Sequence, residues 1–179
     1  MAILQRISYR IRQFTGSFRP RISADEIASL KTVLPVDATT LFREMIPRDQ
    51  RHSLNVFQAL QTRGYQNADL LAAALLHDAG KSIGTGRRLR LPHRVLIVLM
   101  NTVKPGLVQQ IASPEPDSWR FPFYLHLNHP DLGARLAQEA GCSERTVALI
   151  RRHQDKIDAP VIEETDRLLA QLQAADDMN

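Results

Sequence analysis

The stretch RHSLNVFQALQTRGYQNADLLAAALLHDAGK, residues 51–81, decides the fold. His52 shares a helical face with Val56, Ala59 and Leu60 at i+4, i+7 and i+8, so its imidazole is expected to point inward with them. Gly64 is a C-terminal stop, and Asn67 caps a following helix, DLLAAALLHDA, which Gly80 ends. In that helix Leu71, Ala74 and Leu75 form an inward stripe that continues to Asp78. Two helices joined by so short a turn pack antiparallel, which brings His52 beside His77.

Helical signals continue in both directions. Ile3, Leu4, Ile7, Ile11 and Phe14 recur at helical spacing near the start. Ser23 and Glu26 form a capping-box pattern for a helix to about Val33, stopped by Pro35. A third helix begins near Asp37, and Pro47 opens the one that carries His52. The segment Lys81 to Pro92 reads as a loop, followed by an apolar helix from about His93 that is interrupted at Pro105-Gly106. Residues 113–128 are expected to be irregular, and Pro130 to open a helix through Ala140. Ser143 opens the next, to about Gln154, and the last runs from about Val161. The expected fold is all-α: a single helical domain, residues 23–179, with residues 1–22 as a basic appendage.

Composition agrees. The chain has 179 residues, 44% of them apolar and only 6% aromatic, a balance that suits helices packed on helices. A lone cysteine, Cys142, cannot form an internal disulfide, so a reducing, cytoplasmic setting is expected. Val95 to Met100 is too short an apolar run to span a bilayer, and the N-terminus lacks the apolar block of a signal peptide. Charge is unevenly spread. Residues 1–24 hold five arginines and no acid, and Ala79 to Pro114 hold six basic residues and no acid. Such blocks attract phosphates, and residues 1–20 are a candidate for peripheral contact with an anionic membrane. No nucleic-acid-reading motif is present and aromatics are scarce.

The chemistry concentrates in a few side chains. An aspartate and an imidazole at the end of an apolar stripe are costly unless paired or metal-bound. On the last helix Leu169, Leu172 and Asp176 fall at i, i+3 and i+7, so Asp176 faces inward while Asp177 lies about 100° round. His52, His77, Asp78 and Asp176 are a suitable ligand set for a divalent metal such as Mn, Fe, Zn or Mg.

This pattern of His, then His-Asp, then a late Asp resembles the HD superfamily of metal-dependent phosphohydrolases, over roughly residues 48–177. The resemblance implies an all-helical metal site with His52, His77, Asp78 and Asp176 as ligands, and phosphoester hydrolysis. His129 and His153 resemble the extra pair of those subfamilies that hold a second metal bridged by the central aspartate, such as diadenosine tetraphosphate hydrolases. The HD-GYP phosphodiesterases share that pair, but their GYP-type motif is absent here. The expected substrate is therefore a small phosphorylated molecule, a nucleotide or dinucleotide polyphosphate, with one or two ions supplying an acidified water. His77, Asp78 and Lys81 are the candidate catalytic residues. Lys81, Arg87 and Arg88 are candidates to meet substrate phosphates, with Arg90 and Arg94 nearby. A one-metal nucleotidase, a ligand-sensing module without turnover and a di-iron oxygenase stand as alternatives on the same scaffold.

Overall fold

The computed structural model describes residues 22–82, 89–157 and 163–179. Among them are nine α-helices and no strand: α1 (Ala24–Leu30), α2 (Val36–Glu44), α3 (Pro47–Thr62), α4 (Ala68–Leu76), α5 (Leu91–Val103), α6 (Leu107–Ile111), α7 (Phe121–Glu139), α8 (Glu144–Arg152) and α9 (Glu164–Asp176). A short 3-10 turn, Ala79–Ser82, follows α4. The all-α expectation is met. The expected helix at residues 3–14 lies outside the described residues, as does the basic appendage except Ile22.

Local signals explain several element ends. Ser23 and Glu26 form the reciprocal capping box at α1. The Asn67 and Ser143 side chains accept from the backbone N–H groups of Leu70 and Thr146, which starts α4 and α8. Gly64 takes φ +83° just past α3, a left-handed conformation that glycine adopts without strain. Pro105 and Gly106 separate α5 from α6, as the sequence suggested.

Two expectations need correction. α4 ends at Leu76, so His77 and Asp78 lie just beyond the helix rather than on its last turn. More consequentially, α7 begins at Phe121 and runs through Pro130. Phe121, Leu125, His129, Gly133 and Ala137 recur every four residues and are all buried, so packing carries the helix across the proline. The segment expected to be irregular up to residue 128 is in part this helix.

The main core joins α1–α4 to α7–α9, with Leu30, Phe42, Leu60, Leu75, Ile150 and Leu172 among its fully buried members. Truncating such a leucine to alanine costs about 2–5 kcal/mol, so this layer supplies the stability against which buried polar groups are held. A smaller cluster of Leu89, Ile97, Val108 and Phe123 seats α5 and α6 on α7. Both Asp49 carboxylate oxygens accept from Arg94 Nη2 at 2.7 Å, a buried pair that ties α5 to α3. No helix of the described residues is long and apolar enough to cross a membrane.

Candidate metal centre

One close backbone contact assembles the centre. Gly80, in the turn after α4, lies against α7. A Cβ there would fall 2.1 Å from the His129 carbonyl oxygen and 2.7 Å from the Gly133 nitrogen. Gly133 is similarly tight, its own Cβ position 3.1 Å from the Gly80 nitrogen. With no side chain on either residue the turn and the helix touch, and His129 Nε2 comes to 3.7 Å from Asp78 Oδ1.

Around Asp78 the ligand-type atoms form two clusters. In one, His52, His77 and Asp78 offer atoms within 4.8 Å of one another, and in the other Asp78, His129 and His153 do the same. Asp176 belongs with the first, its Oδ1 lying 2.8 Å from His52 Nε2 and 3.5 Å from His77 Nε2. The Asp177 side chain is exposed. All six residues considered as ligands are thus brought together, with Asp78 shared.

The ring orientations are set by backbone carbonyls. His77 Nδ1 is 3.0 Å from Ala74 O, and Nδ1 of His129 and His153 is 2.7 Å from His126 O and Ile150 O. A carbonyl can only accept, so each Nδ1 carries its hydrogen, and in the neutral ring Nε2 is a lone pair turned into the centre. His77 Nε2 is buried without a hydrogen-bond partner but lies 3.6 Å from Asp78 Oδ1 and 3.5 Å from Asp176 Oδ1, within ion-pair reach of both. The lone pairs of His129 and His153 are poorly served. His129 Nε2 faces His153 Nε2 at 3.2 Å, with only the Gln154 amide, 3.3 Å from His129 Nε2, donating from the side. Converging lone pairs beside the buried Asp78 and half-buried Asp176 carboxylates fit a bound divalent cation, which takes neutral imidazole and carboxylate ligands.

Electrostatics point the same way. Burial pushes Asp78 up, but Lys81, His77, His52 and His129 outweigh it and hold the carboxyl well below its usual range. Asp176 is likewise lowered despite its burial, chiefly by His77 and His52. For His77 burial opposes charge, yet Asp78 and Asp176 raise the ring to about 9. Burial and the nearby His77 bring His153 down to about 4, and burial and Lys81 depress His129 strongly. Without metal, His77 is therefore the charged imidazole at neutral pH and the His129–His153 pair is neutral.

Of the candidate phosphate contacts, Lys81 sits inside the centre, its Nζ 2.6 Å from Asp78 Oδ1. Arg87 and Arg88 lie outside the described residues. Arg94 is paired through Nη2 with Asp49. Three contributors escaped the sequence reading. His126 is half-buried one turn before His129 and stacks on it, ring centroids 6.3 Å apart. Burial, Lys81 and Arg94 lower its pKa to about 4. Gln154 contacts His129, and Gln173 donates to the His153 and Asp155 carbonyls, clasping α9 to the end of α8. His126 lies one residue off the buried four-residue stripe of α7, and neither it nor the two glutamines carried a periodic signal.

A helical bundle with two imidazole–carboxylate clusters sharing one aspartate defines a class of candidate metal-binding proteins. The family model of the HD domain matches residues 50–178, and the chain belongs to that family, whose members are typically metal-dependent phosphohydrolases. No curated protein and no solved structure matched.

Proposed function

We propose that this protein hydrolyses a phosphoester or phosphoanhydride bond in a small phosphorylated substrate, a nucleotide or dinucleotide polyphosphate, at a centre holding two divalent ions. The observation that carries the reading is the sharing of Asp78 between two clusters whose imidazole lone pairs converge. His52, His77, Asp78 and Asp176 would hold one ion, and Asp78, His129 and His153 the other. Mn, Fe, Zn and Mg all accept such nitrogen and oxygen donors. When bound, the ions supply an acidified water and Lewis acidity at the phosphoryl oxygens.

The chain's own residues do the rest. The carbonyl-anchored rings keep their Nε2 atoms aimed inward with no reorganisation on binding. The Asp78 and Asp176 carboxylates supply the negative charge a cation needs once His77 gives up its proton. Lys81, already beside Asp78, presents an ammonium where a phosphate oxygen must approach, and a compact point charge suits that task. His126, stacked on His129, adds a neutral imidazole beside the second cluster.

A hydrolysis screen over nucleotides, dinucleotide polyphosphates and generic phosphodiesters, supplemented in turn with Mn, Fe, Zn and Mg, tests this, with Asp78→Ala as the blank. Turnover in wild type and none in the blank supports it. Metal uptake with no turnover on any substrate would move the protein to the ligand-sensing reading. Redox-active iron with oxygen uptake would move it to the oxygenase reading.

A further inference from the structure

In a regular α-helix the carbonyl of each residue accepts from the N–H four positions on. For His126 that position is Pro130, inside α7, and a proline nitrogen has no hydrogen to give. The oxygen is taken instead by His129 Nδ1 at 2.7 Å. The other two anchored rings obtain their carbonyls differently. Ala74 and Ile150 lie in the last turns of α4 and α8, where helix ends leave carbonyls without a helical partner. His129 alone sits in mid-helix, eight residues after Phe121 and with Glu139 still a further ten away, where no helix end can free an acceptor.

We propose that Pro130 is a positioning residue for the His129 side of the centre: by withdrawing the backbone donor, it reserves the His126 carbonyl for His129 Nδ1. The reserved bond keeps the hydrogen on Nδ1 and leaves the Nε2 lone pair facing His153 Nε2 at 3.2 Å. An interior proline weakens a helix, so here local stability is given up for a fixed imidazole. The consequence for metal rests on the two-ion reading above, but the tautomer itself is a property of the metal-free chain.

The test is Pro130→Ala, which restores the N–H, with Pro130→Gly as a second variant that restores it without alanine's helix propensity. Long-range nitrogen–proton NMR on metal-free protein at neutral pH should show His129 as the Nδ1–H tautomer in wild type and as a mixture in both variants. Calorimetric titration with Mn²⁺ should show the ion of the Asp78, His129 and His153 cluster bound about tenfold less tightly in both, the scale of losing an outer hydrogen bond to a ligand imidazole. Thermal stability of Pro130→Ala should hold or rise, which a merely structural role does not predict. An unchanged tautomer and unchanged Mn²⁺ affinity, with two ions in wild type, would overturn this proposal alone. Affinity lost only in step with thermal stability would also overturn it. A wild type that binds no Mn²⁺ would remove the two-ion reading, while the tautomer in wild type and variants would still decide the role of Pro130.

Discussion

His129 Nε2 and His153 Nε2 face each other at 3.2 Å while each ring spends its Nδ1 hydrogen on a backbone carbonyl. Two neutral imidazoles so held have no hydrogen to share between them, and a cation is the natural third party. His129→Ala and His153→Ala should each lower the Mn²⁺ stoichiometry from about two ions to about one, with the rate constant falling far more than substrate affinity. Elemental analysis and steady-state kinetics on each variant check this. One ion in a fully active wild type would contradict it.

Asp78 and Asp176 should separate in their effects. Asp78 touches both clusters, so Asp78→Ala should strip most metal from both. Asp176 lies with His52 and His77 alone, so Asp176→Asn should weaken only that ion. Asp177→Asn, on an exposed neighbour, should change neither metal content nor turnover. Metal analysis of the three variants side by side decides the matter.

Gly80→Ala should destabilise through contact rather than conformation. Its Cβ would meet the His129 carbonyl oxygen at 2.1 Å, and backbone on both sides has to move. A loss of about 1–3 kcal/mol or more is expected in urea unfolding. Because the displaced carbonyl belongs to His129, metal affinity should fall in the same variant. Gly64→Ala is a useful contrast, since nothing lies within 4 Å of its Cβ and only its φ of +83° opposes the change. It should lose stability without losing metal.

His77 sets a pH dependence for the metal-free protein. Its pKa is raised from an ordinary 6.5 to about 9 by Asp78 and Asp176, against the opposing effect of burial. Since the folded value is the higher one, this contribution to stability is complete below about 6.5 and is lost as pH rises through about 9. Thermal melts of metal-free protein between about pH 6 and about pH 10 should show that decline, and His77→Gln should flatten it. Metal ligation by His77 requires the proton to leave, so titration with Mn²⁺ near neutral pH should release it, measurable as buffer-dependent heat.

Helical periodicity, caps and glycine stops were enough to place α3 and α4 antiparallel, because those signals act within a few residues of one another. The same local logic put His52, Asp78 and Asp176 on inward faces. Pro130 was misread because proline's local preference is to begin a helix, whereas the buried stripe from Phe121 to Ala137 outweighs that preference through packing. Where a helix crosses a proline is decided by what it rests on. Tertiary structure alone decided that Gly80 meets Gly133, that Arg94 is bound to Asp49 and that Gln173 clasps the end of α8. These contacts join residues 45 or 53 positions apart in the first two pairs and 20 in the third, and no periodicity encodes such a meeting. The chain by itself determined which side chains could bind a cation. Only the close approach of two glycine backbones determined that Asp78 stands between both sets of histidines.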